Sequence, residues 1–453
     1  MANKQQAKRK VLIIKLLLIL ILGVVCFGSI LFSDPIERAL KIGEYTHSAS
    51  ADLEVVSTCG LKIHYINVGQ ADATLVELPD NTKLLIDAGK SPKENTDKLL
   101  SYLQNDCNIS VIDYLILTHC DEDHAGGMAA VLDAFEVKNI YRPFQIACKS
   151  GVPIAEEDLG YYSTTAKQCS TNCYVNFIKK AYNETYLDKE TNTVCYARVY
   201  LTSEDLIEGL SDIASTNPEV DFTFEFYAPL KTSDTDLETV STDPNRKTYG
   251  KPVKIYLDNN NNASPIMMLT YKTNTFVFTG DAEKEVEADF LSKYKTNASV
   301  INKLNNMVVY KAGHHGSNTS STAEFLQLIN PTYTICSCDY NVYKAHPGDK
   351  FLERWEAQVS SQGTNRVQET PFRTDVNGTI IFGVNDSTGE LVYCSGVEAQ
   401  GFILRWSYIA SATFVVLSVI IISVKIHKNN VLLTARSLAK STKKAQSVRK
   451  RMR

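Results

Sequence analysis

Two uncharged apolar runs stand near the two ends of the chain. Residues 16–32, extended back to Val11, approach the ~20 residues that an α-helix needs to cross a bilayer. Residues 406–424 form the second run, with Trp406 and Tyr408 at one edge as interfacial anchors. The pattern predicts transmembrane helices over 11–32 and 403–424. The alternatives are a cleavable signal peptide for the first run and a buried core helix for the second.

Between these runs, short apolar segments alternate with polar turns, as in a layered α/β or α+β domain. Strands are predicted over 62–68, 73–78, 83–87, 111–117, 265–271, 275–279, 307–311, 333–336, 378–384 and 391–394. Helices are predicted over 94–104, 127–135, 282–294, 321–329 and 350–359. Residues 140–262 are less regular and are interpreted as an insertion. The alternation of strands and helices favours a mixed sheet covered by helices.

Charge is segregated along the 453 residues, although the net charge is only −4. Residues 16–402 contain all 51 acidic and 31 of the 47 basic residues, a formal charge of −20. The basic ends, 1–10 and 425–453, predict cytoplasmic termini, two membrane passes and an extracytoplasmic domain after a linker over 33–60. The tail either binds anionic lipid head groups or serves only to set the topology. The acidic middle counts against nucleic-acid binding through a broad basic surface.

Ten of the 11 cysteines lie between the two apolar runs. Cys148, Cys169, Cys173 and Cys195 cluster within the irregular segment. In an oxidising compartment this clustering predicts a disulfide-stapled insertion. The alternative is a structural zinc site, although the spacing lacks the two close pairs that such sites usually show.

Potential metal ligands are concentrated in three short motifs. Five of the eight histidines are His119 and His124 in THCDEDH, His314 and His315 in AGHHGS, and His346 in AHPGD. Asp121 and Asp123 stand between the first two histidines, directly after a predicted strand. Imidazole and carboxylate ligands together suit zinc, manganese or iron. The pattern therefore predicts a metal site, against the alternative of unrelated surface histidines.

Two further aspartates stand at the ends of predicted apolar strands, as the histidine motifs do. Asp87 follows LLI, and Asp281 follows TFVFTG. Taken alone, Asp281 would be interpreted as the N-cap of the helix from Ala282. Its position at a strand end is shared with the histidine motifs. This shared position favours a single edge of the domain at which the aspartates and histidines lie together.

These strings resemble the metallo-β-lactamase fold, and most nearly the extracellular hydrolase domain of ComEC competence proteins. IDAG, LTHCDEDHAGG, FTGDAE, KAGHHGSNTS and HPGD carry the resemblance over about residues 61–395, with 140–262 only loosely matched. The resemblance implies a four-layer αββα sandwich holding two divalent metal ions, zinc or manganese. The implied ligands are His119, Asp121, Asp123, His124, Asp281 and either His314 or His315, with Asp87 supporting the metal-binding loop. The family's middle histidine ligand has no counterpart on Ala263–Met268.

The expected activity is hydrolysis by a metal-activated water. Asp123 is expected to orient that water, and His346 to contact the substrate oxyanion or protonate a leaving group. Residues 317–320 either bind phosphate oxygens or cap the following helix. The expected substrate is a phosphodiester, either single-stranded nucleic acid or a cell-envelope component, with no soluble cofactor. The alternatives are hydrolysis of an ester, lactone or amide, and a non-catalytic metal-binding surface module.

Overall fold

The computed structural model describes residues 53–395 and 429–442. The first range has gaps at 92, 144, 150–151, 156–166, 203–212, 216, 218–219, 229–237, 241–251, 255–258, 340–345, 362–367 and 369. The predicted membrane helices over 11–32 and 403–424 lie outside the described residues. Within the described part of the chain, no helix combines the length and apolar character needed to cross a bilayer. Residues 47–398 form one compact unit, and residues 429–442 are helical.

The strands and helices of this unit are numbered in chain order. The strands are β1 Leu61–Tyr65, β2 Thr74–Glu77, β3 Lys83–Ile86, β4 Val111–Ile116, β5 Glu136–Arg142, β6 Gln145–Lys149, β7 Val152–Pro153, β8 Lys167–Cys169, β9 Thr185–Asp188, β10 Thr193–Tyr196, β11 Arg198–Leu201, β12 Ile213–Ala214, β13 Phe222–Ala228, β14 Glu238–Val240, β15 Pro252–Lys254, β16 Ile266–Tyr271, β17 Asn274–Phe278, β18 Met307–Lys311, β19 Tyr333–Cys336, β20 Phe372–Arg373, β21 Ile380–Val384 and β22 Leu391–Ser395. The helices are α1 Leu53–Ser57, α2 Lys93–Ser101, α3 Glu122–Ala125, α4 Met128–Ala134, α5 Asn172–Ala181, α6 Lys284–Tyr294, α7 Ala298–Leu304, α8 Ala323–Ile329, α9 Asp349–Ser361 and α10 Thr374–Asn377. A π-helical turn, Tyr102–Asp106, continues α2.

Two mixed sheets form the body of the unit. The first has the strand order β11-β5-β4-β3-β2-β1-β21-β22, and the second has the order β12-β13-β16-β17-β18-β19-β20. In both sheets, antiparallel hairpins adjoin parallel strands, as β3 with β4 and β17 with β18 show. The carboxyl ends of parallel neighbours therefore meet at one edge, where the loops that follow them can converge.

Alternating side chains place one core between the sheets and one beneath each helical layer. Along β16, Met267 and Leu269 lie in the core between the sheets, while Ile266 and Met268 lie in the core with Phe290 of α6. On the other side, the first sheet packs against α2, α4 and α5. This alternation is the period of two expected for strands that are buried on both faces. The fold is a mixed α/β sandwich of four layers, as predicted.

The irregular segment contributes more to the sheets than predicted. Strand β13, within residues 140–262, pairs along the whole of β16 and buries Phe224 between the sheets. Strand β11 extends the first sheet beside β5. The sequence signal was weak here because long-range pairing, not local periodicity, defines these strands.

The cysteines of this segment are not joined as predicted. Cys169, Cys173 and Cys195 are present as thiols. Cys169 instead shares a hydrogen bond with Cys120 of the histidine-rich loop, and this bond is the main cause that lowers the Cys169 pKa to about 7. The predicted disulfides among Cys148, Cys169, Cys173 and Cys195 are therefore wrong, because every pairing within this group needs at least one of the three thiols. Across the described ranges, no cysteine cluster has the geometry of a zinc site either.

Candidate metal centre

The loop after β4 is anchored by Asp87, which directly follows β3. Asp87 accepts hydrogen bonds from the Thr118 backbone N–H (2.8 Å), the Thr118 hydroxyl (2.8 Å) and His124 Nδ1 (2.6 Å). His119 and His124 are fully buried, with ring centroids 4.2 Å apart. Because Nδ1 of His124 is bound to Asp87, its Nε2 is directed into the centre.

Asp281 reaches the same point from the end of β17. Gly280 has φ +49°, and a Cβ there would lie 2.7 Å from Thr118 Cβ, so only glycine lets the two loops approach this closely. Asp281 Oδ1 lies 3.2 Å from His124 Nε2. Helix α6 begins only at Lys284, with Glu283 in the N-cap position. The N-cap interpretation of Asp281 is therefore wrong.

The two histidines after β18 both turn towards Asp281. His314 and His315 have φ of 48° and 55°, a left-handed conformation that is strained in residues with a side chain. His315 Nδ1 bonds the Ser337 carbonyl (2.7 Å), and its Nε2 lies 3.5 Å from Asp281 Oδ2. His314 Nε2 lies 3.8 Å from the same oxygen. The sequence left the choice between these residues open, and the structure brings both of them to the centre.

Several ligand-type atoms of this centre are buried without a partner. Among the described residues, Nε2 of His119, His124 and His315 and Oδ1 of Asp72 and Asp281 make no hydrogen bond of acceptable geometry. Buried polar atoms are costly unless they are paired or bind a cation. Ligand atoms of Asp72, His124, Asp281 and His315 all lie within 4.8 Å of one another. This donor set fits a divalent cation with mixed nitrogen and oxygen ligands.

Asp72 and Lys311 were missed by the sequence analysis. Asp72 follows β1 in the small-residue turn GQADA, and Lys311 ends β18. Lys311 Nζ donates to Asp72 Oδ2 at 2.8 Å, and both side chains are buried. Burial alone would raise the pKa of Asp72, but the charge of Lys311 lowers it overall. The one sequence signal that could have indicated this buried ion pair was a lysine at the end of an otherwise apolar strand.

Asp123 and His346 stand beside this group. The Asp123 side chain is 29% exposed, and its Oδ2 lies 3.5 Å from His315 Nε2. Burial raises its pKa, but the close approach of His315 and the charge of His124 hold that pKa well below the usual range. The His346 ring centroid lies 5.4 Å from that of His314. Burial first, and then the neighbouring His315 and His314, lower the His346 pKa to about 4. His346 is therefore neutral at neutral pH.

Asp121 and the Ser317–Ser320 turn complete the predicted set. Asp121 Oδ2 lies 3.7 Å from His119 Nε2. Helix α8 begins at Ala323 and is capped by Thr322, so residues 317–320 do not form its N-terminus. Their hydroxyls bind within the protein instead, as Ser320 does to the Gly313 carbonyl. The turn holds His314 in place, because the Thr319 hydroxyl lies 3.1 Å from His314 Nδ1 and the Ser317 N–H donates to the His314 carbonyl.

Comparison with known proteins gives a partial match. Residues 66–146 match the family model described as "Metallo-beta-lactamase superfamily". The chain is 24% identical over 343 residues to "ComE operon protein 3" of Bacillus subtilis (strain 168), covering 72% of this chain and 34% of that protein. It is 32% identical over 141 residues to "Competence protein ComA" of Neisseria gonorrhoeae, covering 31% of this chain and 17% of that protein.

The chain thus spans about a third or less of the length of these two curated relatives. Among solved structures, it is similar to CmlA, a diiron beta-hydroxylase from Streptomyces venezuelae. The identity is 11%, the match covers 67% of this chain and 51% of that chain, and the TM-score is 0.35. The sequence comparisons support a relation of this chain to the metallo-beta-lactamase superfamily and, within it, to ComEC-like proteins.

Proposed function

We propose that this chain is a metal-dependent hydrolase whose reaction centre is the group Asp72, His124, Asp281 and His315. The observation that supports the proposal is the convergence of ligand atoms from the segments that follow four different strands, β1, β4, β17 and β18. Several of these atoms are buried without a hydrogen-bond partner. Four such residues would be costly to bury together without a cation. Manganese and zinc both suit a set of imidazoles and carboxylates.

Each side chain around this centre has a separate role in the proposed reaction. Divalent cations, when bound, supply a nucleophilic water at neutral pH and neutralise negative charge on the substrate. Asp123 remains ionised and partly exposed, so it can accept a hydrogen bond from the water and orient it. His346 is neutral at neutral pH and can donate a hydrogen bond to a developing oxyanion. Asp87 fixes the imidazole of His124 through Nδ1.

We propose a phosphodiester as the substrate class. The similarity to a protein named as a competence protein favours a nucleic-acid-related substrate, and a cell-envelope phosphodiester is the other member of this class. The formal charge of −20 over residues 16–402 argues that phosphate attraction comes from bound cations, not from a basic groove.

A substrate panel tests this class. The full-length chain, purified in detergent and supplied with Mn²⁺ or Zn²⁺, is expected to hydrolyse bis-p-nitrophenyl phosphate and a single-stranded oligodeoxynucleotide, but not a panel of lactones and carboxylic esters. Chelation by EDTA should abolish turnover, and added metal should restore it. Turnover of esters or lactones alone would instead assign the chain as an ester, lactone or amide hydrolase. Bound metal without turnover of any substrate would leave a metal-binding module.

We further propose that the domain is anchored outside the cytoplasm by the apolar runs 11–32 and 403–424. The basic residues that follow Lys425 should retain the carboxyl terminus in the cytoplasm. Green fluorescent protein fused after Arg453 is therefore expected to fluoresce, and alkaline phosphatase fused at the same point to be inactive. The reverse pattern would overturn this topology without affecting the proposed chemistry.

A further inference from the structure

Cys120 lies within the histidine-rich loop, between two of its ligand-type residues. His119 precedes it and Asp121 follows it. Cys120 is fully buried, and its backbone N–H donates to the side-chain oxygen of Gln145 at 3.0 Å. Its thiol takes no part in the proposed reaction. Because the three residues are consecutive, any movement of Cys120 is passed through the backbone to both of its neighbours.

A second thiol, Cys169, reaches this loop from the irregular segment. Cys169 ends β8, which pairs in parallel with β6 and places Cys169 opposite Ala147. Its thiol shares a hydrogen bond with the Cys120 thiol. Both residues belong to the core that contains Ala125 and Met128, and Cys169, at 5% exposure, is the nearer of the two to solvent. Two thiols from distant parts of the chain thus meet at the histidine-rich loop.

Thr171 connects the segments that carry the two thiols. Its hydroxyl donates to the Cys120 carbonyl at 3.4 Å and lies 3.2 Å from Cys169 Sγ. Thr171 also stands in the N-cap position of α5, and Tyr174 of this helix packs in the same core as both cysteines. These contacts hold the two sulfurs side by side.

The environment of Cys169 favours its reaction with a disulfide. The hydrogen bond with Cys120 is the main cause that lowers the pKa of Cys169 to about 7. A large fraction of this thiol is therefore ionised at neutral pH, and the thiolate is the form that attacks a disulfide. Cys173 is half-buried near Cys169, but burial raises the pKa of its thiol.

We propose that Cys120 and Cys169 form a reversible disulfide that regulates the metal-binding loop. The oxidant is a small-molecule disulfide such as oxidised glutathione. The Cys169 thiolate attacks one sulfur of the oxidant and releases the first glutathione as its thiolate. The Cys120 sulfur then attacks Cys169 Sγ and displaces the second. Two cysteine thiols are oxidised, one glutathione disulfide is reduced, and the two protons pass to the released glutathione.

This disulfide would displace the residues on either side of Cys120. A disulfide holds its sulfurs about 2.0 Å apart, closer than two hydrogen-bonded thiols. Closing that gap draws Cys120 towards β8, and His119 and Asp121 move with it. Misplacement by about 1 Å around a reaction centre can cost about 100-fold in rate. Oxidation should therefore lower turnover and weaken metal binding. This inference rests on the proposed function, because it assigns a regulation to that centre.

Treatment of the reduced full-length chain in detergent with oxidised glutathione tests the disulfide. Mass spectrometry of unreduced proteolytic fragments is expected to show a cross-link between Cys120 and Cys169, which dithiothreitol removes. Cys173 is the competing partner, because it lies near Cys169. A cross-link from Cys169 to Cys173, or no cross-link at Cys120, would overturn the inference.

Turnover and Mn²⁺ affinity test the consequence for the centre. Oxidation should lower kcat/KM on bis-p-nitrophenyl phosphate by roughly 10- to 100-fold and weaken Mn²⁺ binding measured by calorimetry. Reduction, followed by removal of the reductant, should restore both. Cys169→Ser should keep the rate of the reduced wild type and lose the response to oxidation. Cys107→Ser is the matched control, because this half-buried thiol lies beside His64, and it should respond as the wild type does.

The outcomes separate the regulation from the reaction itself. Equal losses on oxidation in Cys169→Ser and in the wild type would overturn the inference. A cross-linked chain with unchanged turnover and unchanged Mn²⁺ affinity would do the same. Absence of turnover and of metal binding in the reduced wild-type chain would instead defeat the proposed function, while mass spectrometry would still decide whether the disulfide forms.

Discussion

Replacing Asp281 with asparagine is expected to lower kcat/KM on bis-p-nitrophenyl phosphate by about 10³-fold or more. The carboxylate is buried, and its oxygens lie within 3.2–4.0 Å of Nε2 of all four histidines that converge on it, His119, His124, His314 and His315. Asparagine keeps the shape but removes the negative charge that the imidazoles and any cation share. Bound metal should fall in parallel, measured by mass spectrometry of the purified protein.

Asp97→Asn is the control for this experiment. Asp97 is exposed on α2, so its substitution changes the same charge without touching the centre. The control should retain wild-type rates and metal content. Wild-type turnover in Asp281→Asn would remove this aspartate from the reaction centre, and the metal-dependent assignment would lose its main support.

Replacing Lys311 with methionine is expected to destabilise the folded unit by about 3–5 kcal/mol in the presence of EDTA. Lys311 Nζ lies 2.8 Å from Asp72 Oδ2 and also donates to the Ala312 carbonyl at 2.9 Å. Both side chains are at most 4% exposed. Removing the lysine leaves a buried carboxylate without its counter-charge, which costs more than the ion pair contributes.

The difference in the free energy of unfolding is measured by urea denaturation, followed by the fluorescence of the buried Trp355. The double variant Asp72→Asn with Lys311→Met should recover most of the loss, because no uncompensated charge remains. Lys189→Met, at an exposed turn, is the matched control and should change stability by less than about 0.5 kcal/mol. Equal midpoints for Lys311→Met and Lys189→Met would show that the pair does not stabilise the fold. EDTA is required because a cation bound by Asp72 would mask the effect.

The local pattern of apolar and polar residues was sufficient to predict most of the strands that precede the site residues. β18 and β19 have the predicted bounds, and β4 ends one residue before the predicted end. Each is a short apolar segment between polar turns, so its periodicity and its boundaries can be seen without tertiary information. The helix over 298–304 was missed because its periodicity is short and weak. Strand β13 was missed because its partner, β16, lies more than 30 residues further along the chain.

The sequence by itself determined the chemistry available to this protein, namely histidines and aspartates that follow apolar strands in a mixed sheet covered by helices. Only the tertiary structure decided how these groups are oriented. It brought Asp72 and Lys311 into the centre, directed both His314 and His315 at Asp281, and placed Asn260 against Asp121 and Glu283 against His314. The physical reason is that residue type and strand position follow from local periodicity. Hydrogen bonds from segments distant in the chain decide which nitrogen of an imidazole, or which oxygen of a carboxylate, is left without a partner and faces the centre.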